Sequence, residues 1–182
     1  MEYTVYNSEP IEASSEQTDS IVLGGGCFWC IEAVFERIPG IISAVSGYAG
    51  GTTRQPTYEQ VCSGLTGHAE VVYLKFDSQT ISLEQILETF FAAHDPTSEN
   101  RQGADVGTQY RSIILYTRES QKERIEGFIK NLEAKKVYAK PIVTQVDALK
   151  EFWKAEDYHQ DYYEKNPYAG YCRVVISPKL DK

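Results

Sequence analysis

Apolar residues along this chain follow two spacings. A short run, Ile21-Val22-Leu23, predicts a buried strand at residues 20 to 23. Directly after Gly24-Gly25-Gly26, the apolar positions Ile31, Val34, Phe35 and Ile38 fall at i, i+3, i+4 and i+7, one face of a helix that Pro39-Gly40 stops. Cys27 lies at the joint. The pattern then predicts a strand near 41 to 46, a glycine-rich polar loop from Gly47 to Pro56, and a strand over 68 to 77. Ser82 and Gln85 form a capping box for a helix with Leu83, Ile86, Leu87, Phe90 and Phe91 in one stripe, ending near His94-Asp95-Pro96. A second long loop, 95 to 109, leads to a strand at 111 to 116 and a helix with Ile125, Phe128, Ile129 and Leu132 on one side. A strand at 142 to 146, an aromatic helix near 156 to 165 and a short extended tail, Cys172 to Ile176, complete the pattern.

Strands alternating with helices predict one α/β (α+β) domain, a two-layer sandwich with a mixed or partly parallel sheet covered by helices, and long loops of the kind that carry function. Residues 1 to 19 are polar and acidic and read as a flexible arm, leaving 20 to 182 as a single catalytic domain. With 182 residues, 42% hydrophobic and 24% charged, the chain can bury a sizeable core. Twenty-six acidic against 18 basic residues give a net charge of -8, which argues against a nucleic-acid surface. Residues 1 to 20 show neither the basic and apolar regions of a signal peptide nor a membrane span, so the expected compartment is the cytoplasm. In that reducing compartment Cys27, Cys30, Cys62 and Cys172 point to catalysis or metal binding rather than to a disulfide scaffold.

Placed at a helix start, Cys27 is expected to have its thiol pKa pulled below the free value of about 8.5 by unpaired N–H groups and the helix dipole. Cys27 and Cys30 form a C-x-x-C whose members share a helical face, so the pair could form a disulfide, exchange thiols or bind a metal. Zinc would need two more ligands, and Cys62, Cys172, His68, His94 and His159 contain no second tight pair, so no metal is expected. A thioredoxin-like pair fits the spacing better, yet Phe28 and Trp29 lie between the cysteines, as a pocket wall or as core. Period-two alternation puts Glu70 on the same face as Val72, Leu74 and Phe76, where desolvation would raise its pKa and let it act as a general acid. A strand-end glutamate turned back to water is the alternative. Among thirteen tyrosines, Tyr58 and Tyr110 sit in the long loops and could donate to a polarised oxygen, or simply pack. Asp105 could orient a substrate or cap a turn. His68 and His94 read as structural.

Together these residues resemble the A-type peptide methionine sulfoxide reductases. The resemblance runs through Gly-Cys-Phe-Trp at 26 to 29, Pro-Thr-Tyr at 56 to 58, Gly-His-Ala-Glu at 67 to 70, Arg-Gln-Gly at 101 to 103 and Gly-Thr-Gln-Tyr-Arg at 107 to 111. His94-Asp95-Pro96, Asn166-Pro167 and Gly170-Tyr171-Cys172 also match. It implies that Cys27 attacks the sulfur of methionine S-sulfoxide, free or in oxidised proteins and peptides, leaving methionine and a cysteine sulfenic acid. Glu70 is then the acid, Tyr58 and Tyr110 bind the sulfoxide oxygen, Phe28 and Trp29 hold the substrate methyl, and Asp105 aids recognition. An intramolecular disulfide follows, reduced by thioredoxin or another dithiol with no cofactor, in an enzyme expected to be monomeric. The resolving thiol is Cys172 or Cys30, with Cys172 preferred if the tail moves, and Cys62 is expected to be a small buried packing residue. A general thiol-disulfide oxidoreductase built on Cys27 and Cys30 is the rival reading.

Overall fold

The computed structural model describes residues 18–165. Six strands form one sheet in the order β7-β6-β1-β3-β2-β8: β1 (Thr18–Gly24), β2 (Ile41–Ala49), β3 (Ala69–Asp77), β6 (Ile113–Tyr116), β7 (Gln145–Ala148) and β8 (Phe152–Lys154). All neighbours are antiparallel except β6 and β7, so the sheet is mixed, and the single α/β domain is as the spacing predicts. Helices α1 (Phe28–Glu36), α3 (Leu83–Ala93) and α4 (Glu119–Ala134) pack further residues into the main core.

Alternation along the central strands explains the two clusters. On β3, Val72, Leu74 and Phe76 enter the main core with Ile21 and Leu23 of β1, whereas Val71 and Tyr73 join Val22 in a smaller cluster. Register then lines up a row: Tyr48 of β2 faces Glu70 of β3 on one side and Trp153 of β8 on the other. Residues opposite each other in antiparallel strands share a face. Glu70 therefore projects into the main core beside Tyr48.

Helix α3 keeps its predicted capping box, with Ser82 Oγ accepting from the Gln85 N–H at 3.1 Å. Elsewhere the boundaries move for identifiable reasons. Strand β1 starts at Thr18, two residues inside the expected arm, because Thr18 and Asp19 pair with Asp77 and Phe76 and Asp19 meets Arg118 at 3.0 Å. Strand β2 continues to Ala49, through the expected start of a polar loop, since Gly47 leaves room for the Phe152 ring; a Cβ there would lie 2.3 Å from it. The expected strand at 142 to 146 is displaced to β7, and β8 is too short for its period to be read. In place of one aromatic helix over 156 to 165 the chain makes a 3-10 turn, Asp157–His159, and a short helix α5, Tyr162–Lys165, separated by Asp161 at φ 55°. Within the two long loops lie helix α2 (Tyr58–Cys62), the small hairpin β4 (Arg101–Gln102) and β5 (Asp105–Val106), and a 3-10 turn, Thr108–Tyr110. Residues 1–17 of the expected arm and the tail with Cys172 lie outside the described residues.

Candidate active site

The β1–α1 joint is built by glycine. At Gly24 a Cβ would lie 2.6 Å from the Glu70 carbonyl oxygen, so only glycine lets β1 run this close to β3 at its end. Gly26 adopts φ 84° and donates its N–H to the Tyr110 carbonyl at 3.0 Å, which turns the chain into α1 and ties the joint to the second long loop. Cys27 is the N-cap of α1. The first helical N–H, from Phe28, donates to Glu70 Oε1 at 3.0 Å. One helix start thus holds a thiol and a carboxyl together.

Both groups are buried, Cys27 at 7% exposure and Glu70 at 1%. Burial lifts the Glu70 carboxyl to a pKa of about 8; the Phe28 N–H opposes the rise, and Asp105 and Cys30 add to it. Glu70 is therefore largely protonated at neutral pH. For Cys27 the sequence expectation is overturned. Burial pushes the thiol well above its ordinary value, helped by a hydrogen bond with Cys30 and by the Glu70 charge, and the Trp29 N–H pulls only partly the other way. Desolvation outweighs the helix terminus here. Protonating Glu70 removes one of the charges that oppose the thiolate, so the two buried acids are linked.

Aromatic rings enclose this pair. Phe28 packs on Tyr48 with ring centroids 5.7 Å apart and on His159 at 5.0 Å. Trp29 stacks on Tyr162 at 3.7 Å and donates its indole N–H to His159 Nδ1 at 3.0 Å. The Tyr58 ring lies 4.5 Å from that of His159. Burial, and then the Glu70 charge, raises the phenols of Tyr58 and Tyr110, so both remain hydrogen-bond donors across the physiological range. Asp105, half-buried on β5, is near enough to act on Glu70 electrostatically. The fold thus gathers Cys27, Cys30, Phe28, Trp29, Tyr58, Glu70, Asp105 and Tyr110 around one helix start. Cys172 lies outside the described residues. Cys62, expected to be buried packing, is exposed, with its thiol bonded to the Tyr58 hydroxyl at the end of α2. His68 and His94 direct both ring nitrogens to partners inside the fold.

His159 is the residue that sequence reasoning undervalued, weighing it only as a scattered metal donor. It is fully buried, its Nδ1 accepts from Trp29, and burial lowers its pKa to about 4, so it is neutral with the ring proton on Nε2. That Nε2 has no hydrogen-bond partner among the described residues and lies 3.9 Å from Glu156 Oε1. Tyr48, Glu156 and Tyr162 were also missed. The one available signal was the density of aromatic and acidic residues from Glu156 to Glu164, which the helical period does not explain.

Comparison with known proteins fixes the class first. Methionine sulfoxide reductase A of Corynebacterium diphtheriae superposes with a TM-score of 0.81 at 35% identity, covering 86% of this chain and 78% of that one. Mxr1 from Saccharomyces cerevisiae in complex with Trx2 shares the fold at a TM-score of 0.59 and 22% identity, over 85% of this chain and 91% of that one. The protein is an α/β oxidoreductase of the methionine sulfoxide reductase type. In sequence, residues 19–182 match the family described as peptide methionine sulfoxide reductase, and the peptide methionine sulfoxide reductase MsrA of Trichodesmium erythraeum is 55% identical over 164 residues, 90% of this chain and 93% of its own. The chain belongs to the peptide methionine sulfoxide reductase family. Among the described residues no helix is long and apolar enough to cross a membrane.

Proposed function

We propose that the protein reduces the S epimer of methionine sulfoxide, free or within oxidised proteins and peptides, at the Cys27–Glu70 pair. Glu70 Oε1 is occupied as an acceptor by the Phe28 N–H, so Oε2 is the oxygen that carries the acid proton. That bond is the observation that carries the reading, because it anchors an uncharged carboxylic acid at the helix that presents the thiol. Cys27 attacks the sulfoxide sulfur as Glu70 protonates its oxygen, with Tyr58 and Tyr110 donating to that oxygen as charge grows on it. Phe28 and Trp29 hold the methyl group and Asp105 helps to position the substrate. The substrate S–O bond and the transient bond between the two sulfurs then break as the protonated oxygen passes to the Cys27 sulfur, so methionine leaves reduced by two electrons and the cysteine, oxidised by two, is a sulfenic acid that keeps the Glu70 proton.

Cys30 then attacks the sulfenic acid, forming a disulfide and releasing water. The hydrogen bond between the Cys30 and Cys27 thiols, which makes the two sulfurs of the C-x-x-C neighbours, supports Cys30 as the resolving thiol. Thioredoxin or another dithiol restores the thiols, as the Mxr1–Trx2 complex of the yeast protein suggests, and no cofactor takes part. The enzyme is proposed to work as a monomer in the cytoplasm, a compartment reducing enough to return Cys27 and Cys30 to thiols.

Replacing Glu70 by Gln keeps the acceptor for Phe28 and removes the proton, so kcat on methionine sulfoxide should fall roughly 10²- to 10⁴-fold. A variant with unchanged kcat would eliminate Glu70 as the acid and leave dithiol exchange as the better reading. Mass spectrometry after one turnover without reductant separates the resolving thiols: Cys30→Ser should stop at the sulfenic acid and Cys172→Ser should not.

A further inference from the structure

A helix of five residues such as α2 has almost no stability of its own, so Tyr58, its first residue, needs an anchor from outside. Thr57 and Gln60 close a capping box, and the Tyr58 N–H donates to Glu156 Oε2 at 2.9 Å. The other oxygen of that carboxylate accepts from the Tyr48 hydroxyl at 2.8 Å. Tyr48 is itself fully buried, opposite Glu70 in the sheet and against the Phe28 ring. Three residues along the chain, His159 holds its protonated Nε2 3.9 Å from Glu156 Oε1, and its Nδ1 accepts from Trp29. One carboxylate is the meeting point of the groups that wall the thiol.

We propose that Glu156 is a positioning residue of the sulfoxide pocket: without touching substrate, its carboxylate fixes Tyr58 through the main chain and Tyr48 through the hydroxyl, and its charge selects the His159 tautomer that accepts from Trp29. The proposal rests on the reading of the Cys27 pocket as the sulfoxide site. Electrostatics agree with it. Partial burial pushes the Glu156 carboxyl up, but the N–H groups of Tyr58 and Glu156, the Tyr48 hydroxyl and His159 outweigh it, and the group stays ionised below the usual carboxylate range. An ionised acceptor makes a stronger bond than a neutral one. In return the charge favours a ring proton on the facing nitrogen of His159, which leaves the opposite nitrogen to the indole. Truncating this side chain would leave Tyr58, Tyr48 and His159 to find new partners, and the phenol that binds the oxygen would lose its fixed relation to the indole that binds the methyl. Small displacements at such positions cost large factors in rate.

The test is steady-state kinetics of the full chain on methionine S-sulfoxide with dithiothreitol, comparing Glu156→Ala, Glu156→Gln and Tyr48→Phe at a temperature where circular dichroism shows each to be folded. Trp29 emission is followed in parallel in a Trp153→Phe background, where Trp29 is the one tryptophan left of two. Glu156→Ala should lose roughly 10- to 100-fold in kcat/KM, the scale of losing a charged acceptor, and its Trp29 emission should shift. Glu156→Gln should recover part of the loss, because its amide oxygen still takes the Tyr58 N–H and its NH₂ can donate to the Tyr48 oxygen. Tyr48→Phe, which removes one attachment of three, should stay closest to wild type. A Glu156→Ala protein within twofold of wild type overturns the proposal, and so does a loss of activity with Trp29 emission unchanged, the pattern of a cap that serves folding alone. Should the Ala variant fail to fold, Glu156→Gln decides: a loss of threefold or more with shifted emission supports the proposal, and wild-type values overturn it. A wild-type protein inactive on the sulfoxide would remove the functional reading instead, while the emission of the Glu156 variants would still report whether Glu156 anchors the indole.

Discussion

The two halves of the site are held in different ways. Cys27 and Glu70 sit on regular elements, one capping α1 and the other on β3, and the Phe28 N–H bond to Glu70 Oε1 joins the two elements. The wall from Glu156 to Tyr162 belongs to a 3-10 turn and a four-residue helix, and it is kept in place by individual bonds: Glu156 to Tyr48 and Tyr58, His159 to Trp29, Gln160 to Ser46 and the Asp161 N–H to Glu32. Regular backbone can hold a reacting group rigidly with little help from side chains. An irregular segment needs each contact, and it can also yield when substrate or a reductant must enter.

That contrast orders the expected effects. Glu70→Gln should produce the largest, because it removes a proton from a rigid half of the site and leaves the geometry intact; the thermal midpoint should hold at pH 7 while kcat collapses. Next comes pH. Glu70 is the competent acid below its carboxyl pKa of about 8, and the Cys27 thiol titrates well above its ordinary value, so kcat/KM measured across pH 6 to 10 should rise with pH as thiolate forms and level off near pH 8, where loss of the acid offsets the gain of thiolate.

Stability should fall as pH rises, through carboxyls where α1 meets the irregular half. Carboxylate oxygens of Glu32, Glu36 and Asp161 lie within 4.8 Å of one another beside α5. Burial raises Glu32 to about 7 and Glu36 to about 9, the latter helped by its bond to Asp161. A folded pKa above the unfolded value of about 4.3 means that the folded state holds the proton more tightly. Its contribution is complete below that value and is lost as pH rises through 7 to 9. Thermal midpoints should therefore drop between pH 6 and pH 9, and Glu36→Gln should flatten the decline. Tyr162→Ala should have the mildest consequence. Losing the stack on Trp29 removes an interaction of about 0.5–1.5 kcal/mol, so KM for methionine sulfoxide should rise a few-fold with kcat nearly constant. A large fall in kcat instead would mean that the irregular wall is as rigid as the β1–α1 joint.

How much of this was visible in the amino acids follows the same division. Glu70 could be assigned to a core face because β3 is long enough for alternation to show, and the glycine run marked the turn at Cys27 because a close backbone approach leaves no room for a side chain. Helix α3 announced itself through Ser82 and Gln85, which bond within four residues of each other. By contrast β8 has three residues, α2 five, and the turn at His159 no period at all, so nothing local distinguished them. The exposure of Cys62 was equally out of reach, since it depends on which loops pass over α2.

Local chemistry settled the longer strands and helices and the thiol's place at a helix start, and by parity it offered the core face for the carboxyl with a turn back to water as the alternative, because periodicity, capping and glycine act over a few neighbouring residues. The protonation states came from the assembled molecule. A helix terminus alone would have lowered the Cys27 pKa, but the layers that close over it remove water from both Cys27 and Glu70, and desolvation is a property of everything that surrounds a group. Likewise Glu156 and His159 acquire their roles from partners 98 to 130 positions away in the chain, contacts that no local pattern encodes.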